Sequence, residues 1–287
     1  MSKKIIYLIL ILFIFKLPFV SAESNVFETL KQNLIKDGFD PEFIEKVYSR
    51  SYSEYISYII TINVKQSESG SNYVQFNKNS VIKKVKRYIS KNNEFLIELY
   101  GKYNVPPEII CSILMVETKL GSYTGKYRVI NIYSSMAASN TQESIDDIYK
   151  KYRNDAVLTD MEKLSREDVA RKVKKKSDWA YSELKYFLKY VRDDNLDPYS
   201  VKGSFAGAFG LAQFIPSSFF NYAVDGNEDG KVDLFDHRDA MASIANYLKG
   251  NGWKNGLTKE EEKKVIATYN HSKYYVDAVS NMAARLK

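Results

Sequence analysis

The run Gly203-Ser204-Phe205-Ala206-Gly207-Ala208-Phe209-Gly210-Leu211-Ala212-Gln213-Phe214-Ile215-Pro216-Ser217-Ser218 decides how the rest of the chain is read. Its glycines let backbone approach a ligand, or a neighbouring helix, more closely than any other residue allows. Ser204 and Gln213 offer hydrogen bonds suited to amide and hydroxyl groups, and Phe209 and Phe214 offer apolar faces. Tight helix packing explains the glycines equally well from this run alone. Downstream the pattern is helical through Leu286.

Upstream, residues 139–202 change texture. They are rich in Lys, Asp and Glu, and read as a charged helical insertion. Its basic run Arg171-Lys172-Val173-Lys174-Lys175-Lys176 is either a solvated helix face or a polyanion contact. Earlier still, Phe27, Leu30, Leu34 and Ile35 recur at helical spacing until Lys36-Asp37-Gly38, and Asp40-Pro41-Glu42 restarts a helix. The polar stretch 66–80 predicts an exposed loop, and the apolar positions from Val81 to Leu99 predict a further helical stretch. Asn104-Val105-Pro106-Pro107-Glu108 reads as a helix start with Asn104 as candidate cap, and Gly121 as its stop. There is no repeat at a fixed period and no long parallel-sheet pattern, so the expected class is mainly α.

Glu117 falls inside the helix that starts there, one turn beyond Ile113 and Leu114. A carboxylate turned toward apolar surroundings holds its proton more tightly, which suits a general acid acting on a departing sugar oxygen. A partly exposed glutamate paired with Lys119 or Lys126 is the plainer alternative.

Val116-Glu117-Thr118-Lys119-Leu120-Gly121, the glycine-rich run and Tyr269-Asn270-His271-Ser272 occur in one order, and together they resemble the membrane-bound lytic murein transglycosylase B family. The resemblance covers most of the chain after the first residues and is weakest over 45–95 and 139–200. It implies a lysozyme-like helical core with a groove for peptidoglycan glycan strands. It also implies cleavage of the MurNAc-β-1,4-GlcNAc bond with formation of 1,6-anhydro-MurNAc. Glu117 would act as general acid and then as base, unlike the two-carboxylate scheme of most glycosidases. By the same match Ser204, Gln213, Tyr247, Tyr269, Asn270 and Tyr275 would bind the saccharide. Leu120 stands where the family often has an aromatic residue and Ile215 where it has methionine; both keep the bulk. A hydrolytic muramidase, or a silent wall-binding module on the same fold, are the competing readings.

Asp225-Gly226-Asn227-Glu228-Asp229-Gly230 follows the opening of an EF-hand loop. Asp225, Asn227, Asp229 and the Lys231 carbonyl would face a structural Ca²⁺ ion. Asp236 stands at the twelfth position, and Asp239 is the alternative closing ligand, which the resemblance favours. No organic cofactor is implied.

Lys3 and Lys4, the apolar run Ile5–Phe15 and the small residues up to Ala22 read as a secretory signal peptide over 1–22. The run is short for a bilayer span, so stable membrane insertion after cleavage is not expected. The expected division is then 1–22 signal peptide, 23–138 with 203–287 as catalytic core with an N-terminal helical extension, and 139–202 as insertion. The expected location is the periplasm or the cell wall, as a monomer. One cysteine excludes an intramolecular disulfide, and two histidines are too few for a histidine-based metal site. The formal charge is +7, with three positive charges from Lys3, Lys4 and Lys16, so +4 remains beyond residue 22. That excess fits an anionic polymer without choosing one; the motifs, not the charge, exclude nucleic acid as the expected partner.

Overall fold

The computed structural model describes residues 26–65, 73–153 and 165–287. The segment read as a signal peptide lies outside these residues. Among them the chain is helical, with thirteen α-helices and one two-stranded sheet, in agreement with the mainly α expectation.

Helix α1 (Glu28–Lys36) forms as the apolar spacing predicts, and α2 (Pro41–Tyr48) where Asp40-Pro41-Glu42 restarts a helix. Asp40 caps α2 by accepting from the Phe43 amide at 2.8 Å. After α3 (Ile59–Lys65) the described chain resumes at Tyr73, with a 3₁₀ turn over Val74–Asn77. The expected exposed loop over 66–80 holds only in part over its described residues: the stretch is mostly exposed, but Phe76 is buried and α4 (Asn79–Lys91) has already begun. A single large aromatic outweighs the polar residues around it. Asn92 then separates α4 from α5 (Asn93–Tyr103), so the predicted helical stretch is two helices.

Asn104 does not cap the next helix. It closes α5 in a left-handed conformation, φ 58°, while Pro106 is the cap of α6 (Pro107–Thr118) and Pro107 its first residue. Its carbonyl accepts from the Trp253 indole at 3.0 Å, a tertiary bond that local pattern could not reveal. Helix α6 is buried nearly all round, from Ile109 to Met115 and at Thr118. Around it pack α4, α5, α11 (His237–Gly250) and α13 (Lys273–Leu286).

Strand β1 (Tyr127–Arg128) leads into α7 (Val129–Ala138), followed by α8 (Gln142–Arg153). The long α9 (Arg166–Asp193) starts at a capping box, Ser165 and Asp168 each accepting the other's amide. Its buried stripe of Val169, Val173, Ala180, Leu184, Phe187 and Val191 lies against α7 and against α10 (Pro216–Tyr222). Its basic run is mixed: Val173 is buried, Lys174 pairs with Asp178, and Lys176 lies over the Trp179 ring at 3.8 Å. Strand β2 (Lys202–Gly203) pairs antiparallel with β1, Tyr127 opposite Gly203. Helix α12 (Lys259–Tyr269) precedes α13. The buried apolar side chains form one cluster running from Phe27 to Leu286.

Candidate active site

Glu117 stands in the last turn of α6, half-buried on a helix whose buried residues are mainly apolar. The helix ends before Gly121: Lys119 and Leu120 are both left-handed, at φ 53° and 61°. Tertiary bonds hold this costly turn in place. The Thr118 hydroxyl donates to the Leu211 carbonyl at 3.1 Å and accepts from the Gly121 amide at 3.0 Å. Lys84 of α4 donates to the Lys119 carbonyl at 3.1 Å. The catalytic candidate is thereby tied to the glycine-rich run through the residue that follows it.

Across from Glu117 stands α13. The Tyr275 phenol donates to Glu117 Oε1 at 2.7 Å, and Tyr275 is itself buried. The tight turn 270–272 between α12 and α13 produces this contact. Asn270 Oδ1 accepts from the Ser272 amide at 2.9 Å, and Ser272 caps α13. The turn sets the Tyr269 and Tyr275 rings parallel, 6.4 Å apart and 6° from coplanar orientation. Tyr247, from α11, meets Tyr269 edge-on at 4.9 Å and donates to the Thr268 carbonyl at 2.6 Å. Tyr269 donates to the Ala212 carbonyl. These two phenols therefore hold backbone, and their ring faces are what they can offer a sugar.

Burial pushes the Tyr275 and Tyr269 phenols well above their ordinary value, and the Glu117 charge pushes them further in the same direction. Both therefore act as donors, Tyr275 toward the carboxylate and Tyr269 toward the Ala212 carbonyl. Tyr73, absent from the sequence-based expectation, also belongs here, edge-on to Tyr275 at 6.3 Å and 85°. The residues around it are polar apart from exposed Val74, and the buried Phe76 three positions on marks that the segment is anchored.

The glycine-rich run folds as a series of turns. A Cβ on Gly125 would meet the Gly203 carbonyl at 2.1 Å, so the loop after α6 and the start of the run touch backbone to backbone. Gln213, left-handed at φ 50°, donates through Nε2 to the Thr124 carbonyl at 3.1 Å and the Gly210 carbonyl at 2.8 Å. Ser204 Oγ accepts from the Ala206 and Ala208 amides at 3.3 and 3.2 Å. Its proton is left to donate, and the side-chain oxygen of Gln213 is left to accept. Glu117, Tyr269 and Tyr275 are thus in direct contact or stacking. Tyr247 joins them through Tyr269, Gln213 through the neighbouring Ala212, and Ser204 through the Thr124–Gly125 loop.

In the loop after α10, Asp225 accepts from the Glu228, Asp229 and Gly230 amides at 2.6, 3.3 and 2.8 Å. Asn227 and Asp229 turn inward in the same way. Asp236 caps α11, whereas buried Asp239 accepts from Gly226, Asn227 and Asp233 and ties the loop shut. The donor types fit a hard cation, since all are oxygens and Gly230 takes the turn at φ 87°. Among the described residues the carboxylates face backbone amides, and no three acidic, histidine or cysteine side chains converge on one point.

Residues 22–263 match the transglycosylase SLT domain family. The membrane-bound lytic murein transglycosylase B of Escherichia coli (strain K12) is 35% identical over 154 residues, which are 54% of this chain and 34% of that protein. The matched region thus spans about a third of the relative's length. The Escherichia coli lytic transglycosylase Slt35 in complex with calcium superposes with a TM-score of 0.72 at 22% identity, covering 91% of this chain and 92% of that one. SltB3 from Pseudomonas aeruginosa, in complex with NAG-anhNAM-pentapeptide, gives 0.68 at 18% identity, covering 91% and 79%. The fold is that of these lysozyme-like enzymes. With that family's signature across most of its length, the chain belongs to the transglycosylase SLT domain family.

Proposed function

We propose that the chain is a peptidoglycan lytic transglycosylase with Glu117 as its one catalytic carboxylate. The observation that carries this reading is the 2.7 Å bond from the Tyr275 phenol to Glu117 Oε1, inside a cluster of tyrosines and glycine turns. The phenol fixes one carboxylate oxygen, so the side chain is oriented before substrate arrives. In the proposed reaction protonated Glu117 gives its proton to the glycosidic oxygen as the MurNAc C1–O bond breaks. The carboxylate then takes the proton of the muramyl C6 hydroxyl as that oxygen bonds to C1. A 1,6-anhydro ring results, and no water is consumed. The part-buried rings of Tyr247 and Tyr269, with Ser204, Gln213 and Asn270, would hold the sugars on either side of the scissile bond.

The same reading assigns a structural Ca²⁺ to Asp225, Asn227, Asp229, the Lys231 carbonyl and Asp239. It would brace the start of α11, which supplies Tyr247, and takes no part in proton transfer. Calorimetric titration showing no Ca²⁺ binding at millimolar concentration would remove this assignment. Residues 139–202 would wall one side of the groove, α9 being packed on α7 and α10 beside the glycine-rich run. No helix among the described residues is long and apolar enough to cross a membrane. We place the protein at the wall, outside the inner membrane, acting as a monomer.

Mass spectrometry of purified peptidoglycan digested with the protein and with Glu117→Gln tests the mechanism. Anhydro-muropeptides, lighter than hydrolysis products by one water, should come only from the unmutated protein. Reducing-end products instead would mean a muramidase, and products from both proteins would dismiss Glu117.

A further inference from the structure

Helix α4 carries Lys83, Lys84, Lys86, Arg87 and Lys91, with Lys78 at its cap, and residues 73–93 contain no Asp or Glu. All six cations are exposed. At about 100° per residue, Lys83, Lys84, Arg87 and Lys91 share the face opposite buried Ile82 and Val85, with Lys86 to one side of it. The arrangement works against the helix itself. Like charges stand three and four residues apart, and the first turn has a lysine at its cap and no acid, against the helix dipole.

Several surface cations elsewhere are paired. Lys31 meets Glu28 and Glu45, Lys174 meets Asp178, and Lys185 meets Asp37. Among the described residues no carboxylate lies within 4.0 Å of Lys78, Lys83, Lys86, Arg87 or Lys91. Arg285 joins them at the start of α4, where it donates to the Asn77 carbonyl and Asn79 Oδ1. A contiguous field of unpaired cations that breaks local helix rules marks a surface kept for an anionic partner.

Its position identifies that partner. Lys84 bonds the Lys119 carbonyl and Ser122 Oγ, at 3.1 and 3.2 Å, in the turn that ends the helix carrying Glu117. The cationic face therefore borders the active site. A membrane-lying helix would show large apolar side chains among its cations; none of the exposed large apolar residues lies on α4. On the reading given under Proposed function, on which this rests, a bound strand carries at each muramyl lactyl group a peptide whose end is a carboxylate.

We propose that the α4 face binds the carboxylates of peptide stems on the strand engaged at Glu117, so that the protein prefers peptide-bearing wall to bare glycan.

The test is co-sedimentation of Glu117→Gln protein with insoluble peptidoglycan, before and after amidase removal of the stems, across a salt series. It is repeated with Lys83→Gln, Lys86→Gln, Arg87→Gln and Lys91→Gln combined in that background. Lys84 is left in place because it holds the turn, and circular dichroism melts check that the fold is kept. The expected result is about tenfold weaker binding of the combined variant to stem-bearing wall, with a flatter salt dependence. Binding to stem-free glycan should be equal for both. Equal binding of both proteins to stem-bearing wall overturns the proposal, as does an equal loss on stem-free glycan. Loss of binding to phosphatidylglycerol vesicles with wall binding unchanged would overturn it in favour of a membrane. These are binding measurements, so they stand or fall apart from the chemistry assigned to Glu117.

Discussion

Tyr275 and Glu117 are 158 positions apart and meet at 2.7 Å, phenol to carboxylate oxygen, across the junction of α13 and α6. Neither residue reaches the other through local structure. Glu117 is presented by the abrupt left-handed ending of α6, and Tyr275 by a helix whose cap, Ser272, also fixes the direction of the preceding turn. The same junction brings in Tyr269, stacked on Tyr275, and Tyr73, edge-on to it.

Tyr275→Phe keeps the ring and removes the donor. A hydrogen bond to a charged group contributes about 1.5–3 kcal/mol, so kcat should fall by roughly ten- to a hundredfold. KM should change little, because the ring face is retained. Steady-state kinetics on soluble glycan strands measures this, and an unchanged kcat would show that the phenol does not orient the acid.

Gly207→Ala should destabilise the protein without touching any proposed catalytic group. Gly207 is left-handed at φ 86°, and a Cβ there would stand 2.3 Å from the Tyr133 ring. Tyr133 is fully buried and cannot step aside. Overpacking of this kind costs about 1–3 kcal/mol, with a further cost for the left-handed alanine. Urea denaturation would report it as a lower midpoint at an unchanged slope.

The metal loop should respond differently to its two ends. Asp239 is fully buried and accepts three backbone amides, so Asp239→Ala leaves donors unsatisfied and should cost about 3 kcal/mol even without metal. Asp225 is only half-buried, so Asp225→Ala should cost about 1 kcal/mol in metal-free protein. Calcium at millimolar concentration should raise the thermal midpoint of the unmutated protein and leave Asp225→Ala unmoved. A midpoint that ignores calcium in both would argue against a bound ion.

Alkaline stability follows from the tyrosines. Burial raises the phenols of Tyr48, Tyr133, Tyr190, Tyr269 and Tyr275 above their value of 10.0 in the unfolded chain. Above that pH the unfolded chain has lost protons that the folded one retains, so unfolding becomes easier as pH rises. The thermal midpoint should hold steady from about pH 8 to 9.5 and then fall steeply beyond about pH 10. A midpoint still flat at pH 11 would mean that these phenols are not held protonated by the fold.

Much of the site could be read in the chain because its parts are short motifs with local geometry. The glycine-rich run keeps glycine where backbone meets backbone, as at Gly203 and Gly125. Glu117 sits near the end of a helix started by two prolines, and the Asp225 loop displays its turn chemistry residue by residue. Apolar period announced α1, and the Asp40-Pro41 start signal announced α2. The failures share one cause. Asn104, the end of α6 at Thr118 rather than Gly121, and the placement of Tyr73 all depend on partners distant in sequence: Trp253, Leu211 and Tyr275.

By itself the sequence determined which side chains were available, where helices could start, and which motifs carry oxygen donors and a carboxylate. Tertiary structure decided which of them meet. It turned Tyr275 onto Glu117, used Asp236 as a helix cap while burying Asp239 in the loop, and set α4's unpaired cations beside the turn that follows the acid. The physical reason is range. Caps, turns and helical period are settled within a few residues, whereas a shared hydrogen bond or stacked ring needs two helices already packed at a given angle. That angle is set by the whole core.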